Sequence, residues 1–156
     1  MGRLKTRIGL FLPFTGIIGT QELSDGHQQM IELVSYALVL SGNHIFTSAG
    51  AMKGTNIAVI RGALRAGNPD LLTVILPQSL SQQPEEVQQV LSLVTSLVEQ
   101  PKFDDLDLKG AANLCNAKII SMVSRILVYT THDSLSILEP LSDVEDKLEI
   151  IKFYLD

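Results

Sequence analysis

HIFTSAGAMKGTNIAVIRGALRAG, running from His44 to Gly67, decides the fold. Its opening, His44 to Thr47, is branched and aromatic and predicts a buried strand. A turn of small residues follows, with Gly50 and Gly54, and a helix opens at Thr55 or Asn56. That helix stops at Gly67, where glycine fits the left-handed conformation that ends helices. A strand-to-helix turn without bulky side chains lets backbone N–H groups approach a ligand. The positive end of the helix then favours an anion such as a phosphate.

Outward from this unit, branched apolar runs alternate with helix-period segments. Further strands are expected at Ile8 to Ile18, Leu72 to Leu76 and Ile126 to Thr130. Helices are expected at about Gly26 to Leu40, Glu85 to Val98 and Leu108 to Ser124. The second of these begins after Pro84 with two glutamates, which suits the helix dipole. Val87, Val90, Leu91, Val94 and Leu97 would form its buried face. Pro101 to Asp107 reads as an acidic loop, and Val144 to Asp156 as a helix running into a short strand.

Strands alternating with helices predict an α/β fold: a doubly wound, mostly parallel, Rossmann-like sheet with helices on both faces. Such sheets bind ligands at the carboxyl ends of their strands. Here those ends are Gly19-Thr20-Gln21, Ser48 to Gly54, Pro77-Gln78-Ser79 and Thr131 to Ser136, all on one edge.

Composition narrows the functional classes. With 156 residues, 46% of them apolar and 19% charged, the chain is expected to form one domain over residues 1–156. Its net charge of −5 means that any nucleic-acid site is a local basic patch on an acidic body. Cys115 is the single cysteine, which excludes an internal disulfide and reads as a small buried apolar residue. His27 and His44 lack partners at ligand spacing, so no metal site is expected. The apolar run Ile8 to Ile18 is short and interrupted by Pro13, Thr15 and Gly16, so it does not span a bilayer. The expected location is the cytoplasm.

These motifs resemble the Rossmann-like core of the DNA-processing protein A family (DprA/Smf, DNA recombination-mediator protein A), within a wider group that includes the LOG proteins. The family's V-G-[TS]-R turn and following Y-G are similar to Ile18-Gly19-Thr20-Gln21 and Asp25-Gly26. Its S-G-x-A-x-G-I-D resembles Ser48 to Asn56, and its A-H-x-G-A-L-x-A-G resembles the segment through Arg61 to Gly67. Its T-I-A-V-L strand, S-E-x-P and R-N-R-I-I-A-G-L-S are similar to Thr73 to Leu76, Val98 to Pro101 and Asn116 to Ser124. The resemblance covers roughly Ile17 to Leu138. Gln21 stands where the family has arginine, Asn56 where it has aspartate, and Ile60 where it has histidine. Asn116 replaces one arginine of R-N-R.

The resemblance implies binding of single-stranded DNA and loading of a recombinase, without catalysis or cofactor. Lys53, Arg61, Arg65 and Lys118 are the cations it offers for nucleic acid, although Arg61 and Arg65 equally suit a solvent-facing helix surface. Gly19, Thr20, Gln21, Ser48, Gly50, Lys53, Gly54, Thr55 and Asn56 are the phosphate or nucleotide candidates. In that reading amides near Gly50 and Gly54 hold the anion, Lys53 and Lys118 neutralise it, and Asn56 and Gln21 add neutral hydrogen bonds.

Two other classes compete. LOG-type enzymes hydrolyse the N-glycosidic bond of nucleoside monophosphates with a glutamate on a P-G-G-x-G-T-x-x-E loop. Thr131 to Glu139 corresponds, with Glu139 as the candidate catalytic residue, but its glycines are replaced by residues with side chains. His132, Asp133 and Ser134 in the same stretch read as a polar loop, since nucleophile and base meet in space rather than in sequence. A nucleotide sensor or scaffold that kept the fold and lost DNA binding is the other alternative. Glutamines at 28–29, 82–83 and 88–89 would then give helix faces suited to a protein partner or a homo-oligomer.

Overall fold

The computed structural model describes residues 14–156, so the part of the expected first strand from Ile8 to Pro13 lies outside the described residues. Branched residues build a sheet of β1 (Phe14–Gly19), β2 (His44–Thr47), β3 (Leu72–Ile75), β4 (Ser96–Val98), β5 (Arg125–Thr130) and β6 (Glu149–Tyr154). The strand order is β4-β3-β2-β1-β5-β6, and every pairing is parallel. β1 is central, with Gly16 opposite Phe46 on one side and Ile126 on the other.

Four α-helices join these strands among the described residues: α1 (Asp25–Leu40), α2 (Thr55–Arg65), α3 (Glu85–Leu91) and α4 (Leu108–Met122). Ser24 caps α1 by accepting the His27 N–H at 3.1 Å, and Asp107 caps α4 by accepting that of Gly110 at 3.2 Å. Gly67 ends the α2 segment with φ +75°, the left-handed value expected of it. One core packs Ile31, Ile57, Ile60, Val87 and Leu91 of α1, α2 and α3 against Ile17, Ile45 and Val74 of the sheet. The other sets Cys115, Ile119 and Ile120 of α4 against Ile18, Phe46, Ile75 and Val128. The doubly wound α/β expectation therefore holds, with a wholly parallel sheet.

Two expected elements differ. The helix from Glu85 to Val98 ends at Leu91, and Ser96–Val98 instead pairs with Thr73–Ile75 as β4. Branched Val94 and Thr95 disfavour helix, while the open edge of β3 needs a hydrogen-bonding partner. The segment Val144 to Asp156 carries turns rather than a helix before β6. The loop after β5 winds into 3₁₀ turns over His132–Leu141.

Gln82 and Gln83 likewise sit in and after a short 3₁₀ turn rather than on a helix face. No helix among the described residues is long and apolar enough to cross a membrane.

Candidate functional site

The carboxyl ends of β1, β2 and β3, the loop after β5 and the first half of α4 enclose a cavity of about 780 Å³. It opens where the strand order reverses about β1, the place where open parallel sheets take ligands.

Its floor is the small-residue turn between β2 and α2. Gln21 fills this turn. Its Oε1 accepts the Ala51 N–H at 2.9 Å, while its Nε2 donates to Asn56 Oδ1 at 2.8 Å and to Gly19 O at 3.2 Å. A Cβ at Gly50 would collide with Gln21 Oε1, so the Gln21 side chain could keep this position only against a glycine. Asn56 is buried and passes the contact inward, donating from Nδ2 to Thr47 Oγ1 at 3.1 Å. Thr47 in turn donates to Ile17 O at 2.8 Å. Thr20 and Thr55 close the junction, for Thr55 donates both its N–H (2.9 Å) and its hydroxyl (2.8 Å) to Thr20 O. The Gly54 N–H donates to Ala51 O at 2.9 Å. Several amides that the sequence reading offered to an anion are thus paired within the turn.

The walls mix apolar groups, among them Pro77, Pro84, Leu108, Ala112 and Ile137, with polar side chains. Asn113 and Asn116 face in from α4, Gln82 and Gln83 from the segment after β3, and Ser134 and Ser136 from the 3₁₀ turns after β5. Ser48 lies on the floor beside Cys115 Sγ at 3.2 Å, and the thiol donates to Ile75 O at 3.1 Å. Cys115 is fully buried, and burial pushes its thiol up to about 11. It is a structural residue, as the sequence reading has it. Only two side chains of the lining carry charge, Lys109 and Glu22.

Of the sequence candidates, Gly19, Thr20, Gln21, Ser48, Gly50 and Asn56 line the cavity together. The cations do not. Lys53 is exposed on the turn before α2 and lies outside the lining, while its carbonyl is held by the Leu23 N–H at 2.9 Å. Lys118 follows Asn116 by two residues, about 200° round the helix axis, and so leaves the inward face of α4. Arg61 and Arg65 border a separate hollow of about 430 Å³ with Glu32, Leu64, Val90 and Leu93. There Arg65 sits 3.8 Å from Glu32 and 5.9 Å from the Tyr36 ring.

Glu139 is exposed and lies outside the lining. His132 reaches out to Asp156, Nδ1 to Oδ1, at 2.9 Å. No group of His, Cys, Asp and Glu that could hold a metal is found among the described residues.

Lys109 and Asn113 were missed in the sequence. Their signal is there: Lys109, Asn113 and Asn116 recur at helical spacing on one face of α4, beside the core stripe Ala111, Cys115 and Ile119.

The all-parallel, doubly wound sheet is a Rossmann-like α/β fold, and solved structures share it. DNA processing protein A from Helicobacter pylori, described by its single-stranded DNA binding mode, superposes with a TM-score of 0.70 at 20% identity. The match covers 97% of this chain and 70% of that one. DprA from Streptococcus pneumoniae matches with a TM-score of 0.55 at 16% identity, over 91% of this chain and 59% of that one. The molybdenum cofactor carrier protein of Chlamydomonas matches with 0.57 at 15% identity, over 90% and 75%. No known family profile and no curated protein sequence matches the chain. The resemblance to DprA holds at the level of the fold.

Proposed function

We propose that this protein is a DprA-like binder of a phosphate-bearing ligand, holding one nucleotide unit of single-stranded DNA at the carboxyl edge of its sheet without chemical conversion. The observation that carries this reading is the cavity at the topological switch point, a largely apolar pocket into which a few amide and hydroxyl side chains converge. Amides offer both donor and acceptor, which is what the edge of a nucleobase requires. The cavity volume of about 780 Å³ is of the size that holds a small organic ligand. The lining carries one carboxylate, Glu22, and one amine, Lys109, and neither histidine nor cysteine.

A second reading, a sensor or carrier of a free heterocyclic phosphate, has the same cavity and the Chlamydomonas likeness in its favour. The sources separate in one experiment. Fluorescence anisotropy of a labelled single-stranded oligonucleotide would be followed at low and near-physiological salt, beside thermal unfolding with adenosine 5′-monophosphate. Saturable oligonucleotide binding that Asn116→Ala weakens about tenfold supports the DNA reading. Stabilisation by the mononucleotide with no oligonucleotide binding replaces it with the sensor. Failure of both removes nucleotide binding from consideration.

A further inference from the structure

We propose that Gln21 is a built-in stopper of the glycine turn, and that the anion of a bound nucleotide is met by Lys109 on the opposite wall. The proposal rests on the nucleotide reading above and assigns where in that cavity charge is recognised.

The Gln21 side chain is held at both ends. Its oxygen takes the Ala51 N–H at 2.9 Å, the place a phosphate oxygen would take on this turn. Its nitrogen is fixed by Asn56 Oδ1 at 2.8 Å, and Asn56 is itself tied to Thr47 at 3.1 Å in the core. Steric fit agrees with the hydrogen bonds, since Cβ atoms built at Gly50 and Gly54 both run into Gln21. The glycines therefore make room for a side chain of this protein. With the Gly54 and Thr55 N–H groups also paired to backbone carbonyls, an anion entering the turn must first expel Gln21.

The opposite wall has the complementary property. Lys109 stands one turn before Asn113 and two before Asn116 on the face of α4 that lines the cavity. Among the described residues it has no ion-pair partner within 4.0 Å. The carboxylate closest in sequence, Asp107, is engaged as the helix cap on the Gly110 N–H. The ammonium is thus available, and Asn113 and Asn116 are placed beside it to hydrogen-bond the rest of the ligand. Charge in the ligand is thus met by a single side chain rather than by the amides of the turn.

Two variants and three probes test this. Titration calorimetry with adenosine 5′-monophosphate and with adenosine would be run on the wild type and Lys109→Gln. The variant is expected to lose about tenfold in affinity for the monophosphate and to keep its affinity for the nucleoside. Thermal unfolding with inorganic phosphate would then compare the wild type with Gln21→Ala, where emptying the turn is expected to create stabilisation that the wild type lacks. Equal monophosphate affinity in Lys109→Gln, or equal phosphate stabilisation of wild type and Gln21→Ala, overturns the assignment. If the wild type binds neither adenosine, nor its monophosphate, nor a single-stranded oligonucleotide, the functional reading has failed. The phosphate comparison then decides the stopper by itself, and Lys109→Gln is a core-neutral variant whose folding is not at issue.

Discussion

Gly62 lies where α2 crosses α1, and a Cβ there would run into the backbone of Glu32, with the carbonyl carbon 2.8 Å away. Backbone cannot swing aside as the Gln21 side chain can at Gly50. Gly62→Ala is therefore expected to destabilise the protein by about 3 kcal/mol, the upper end of overpacking costs, and Gly50→Ala by less. Urea midpoints order the two, and equal losses would refute the distinction. Cys115 gives a second expectation at this scale, because burial raises its thiol from 9.0 to about 11. Below pH 9 the group is protonated in both folded and unfolded chains, and nothing is lost. Between about 9 and 11 only the unfolded chain releases the proton readily, so stability falls as pH rises. The fall should reach roughly 2–3 kcal/mol and shrink in Cys115→Ala. Tyr129, raised from 10.0 to about 12 by burial, continues the decline at higher pH in both proteins. Parallel pH profiles for wild type and Cys115→Ala would remove the thiol from the account.

At the level of elements, the end of β3 shows what periodicity cannot report. Gln100 is buried, donates from Nε2 to Leu76 O at 2.9 Å and gives its N–H to Gln78 O at 3.3 Å. It continues the β3–β4 ladder with a side chain where the three-residue β4 has run out. Gln100→Ala is expected to lose about 1–2 kcal/mol and to speed hydrogen exchange in β4 before β1 or β2. Unchanged exchange in β4 would show the ladder to be independent of this side chain. The strands His44–Thr47 and Leu72–Ile75 were legible because both faces are buried and their residues are correspondingly branched and continuous. β4 was not, because Val87, Val90, Leu91, Val94 and Leu97 fit one helical stripe, and the requirement that breaks it comes from the edge of β3. In the acidic loop after it, Asp104 accepts the Ser79 N–H at 2.7 Å and its hydroxyl at 2.6 Å, pinning the segment that borders the cavity. Such pairings join residues far apart in sequence, so only the folded chain reveals them. The glycine turn was legible as a place of close approach, while the identity of what approaches it, Gln21, was not.

Over the whole molecule the decisive quantity is where positive charge stands relative to the cavity. The protein carries a net charge of −5, and Lys53, Arg61, Arg65 and Lys118 all lie outside the cavity lining. Lys53 is exposed on the glycine turn, Arg61 and Arg65 flank a separate hollow, and Lys118 is on the outward side of α4. A groove tracking a long strand of nucleic acid needs cations in succession, because each neutralised phosphate releases counterions and steepens the salt dependence. One cation at the cavity predicts the opposite: a shallow dependence, with log affinity for single-stranded DNA falling by about 0.7 per tenfold rise in salt. The acidic body adds repulsion that weakens binding at low ionic strength, where screening is least, and so flattens the slope further. Anisotropy titrations across a salt series give this number directly. A slope steeper than about −2 would mean that cations away from the cavity join the interface. Arg61→Ala and Lys118→Ala would then identify them by each reducing the slope. A slope near −0.7 that Lys109→Gln abolishes would instead place the whole electrostatic contribution on α4, making this molecule a reader of a single nucleotide rather than a channel for a strand.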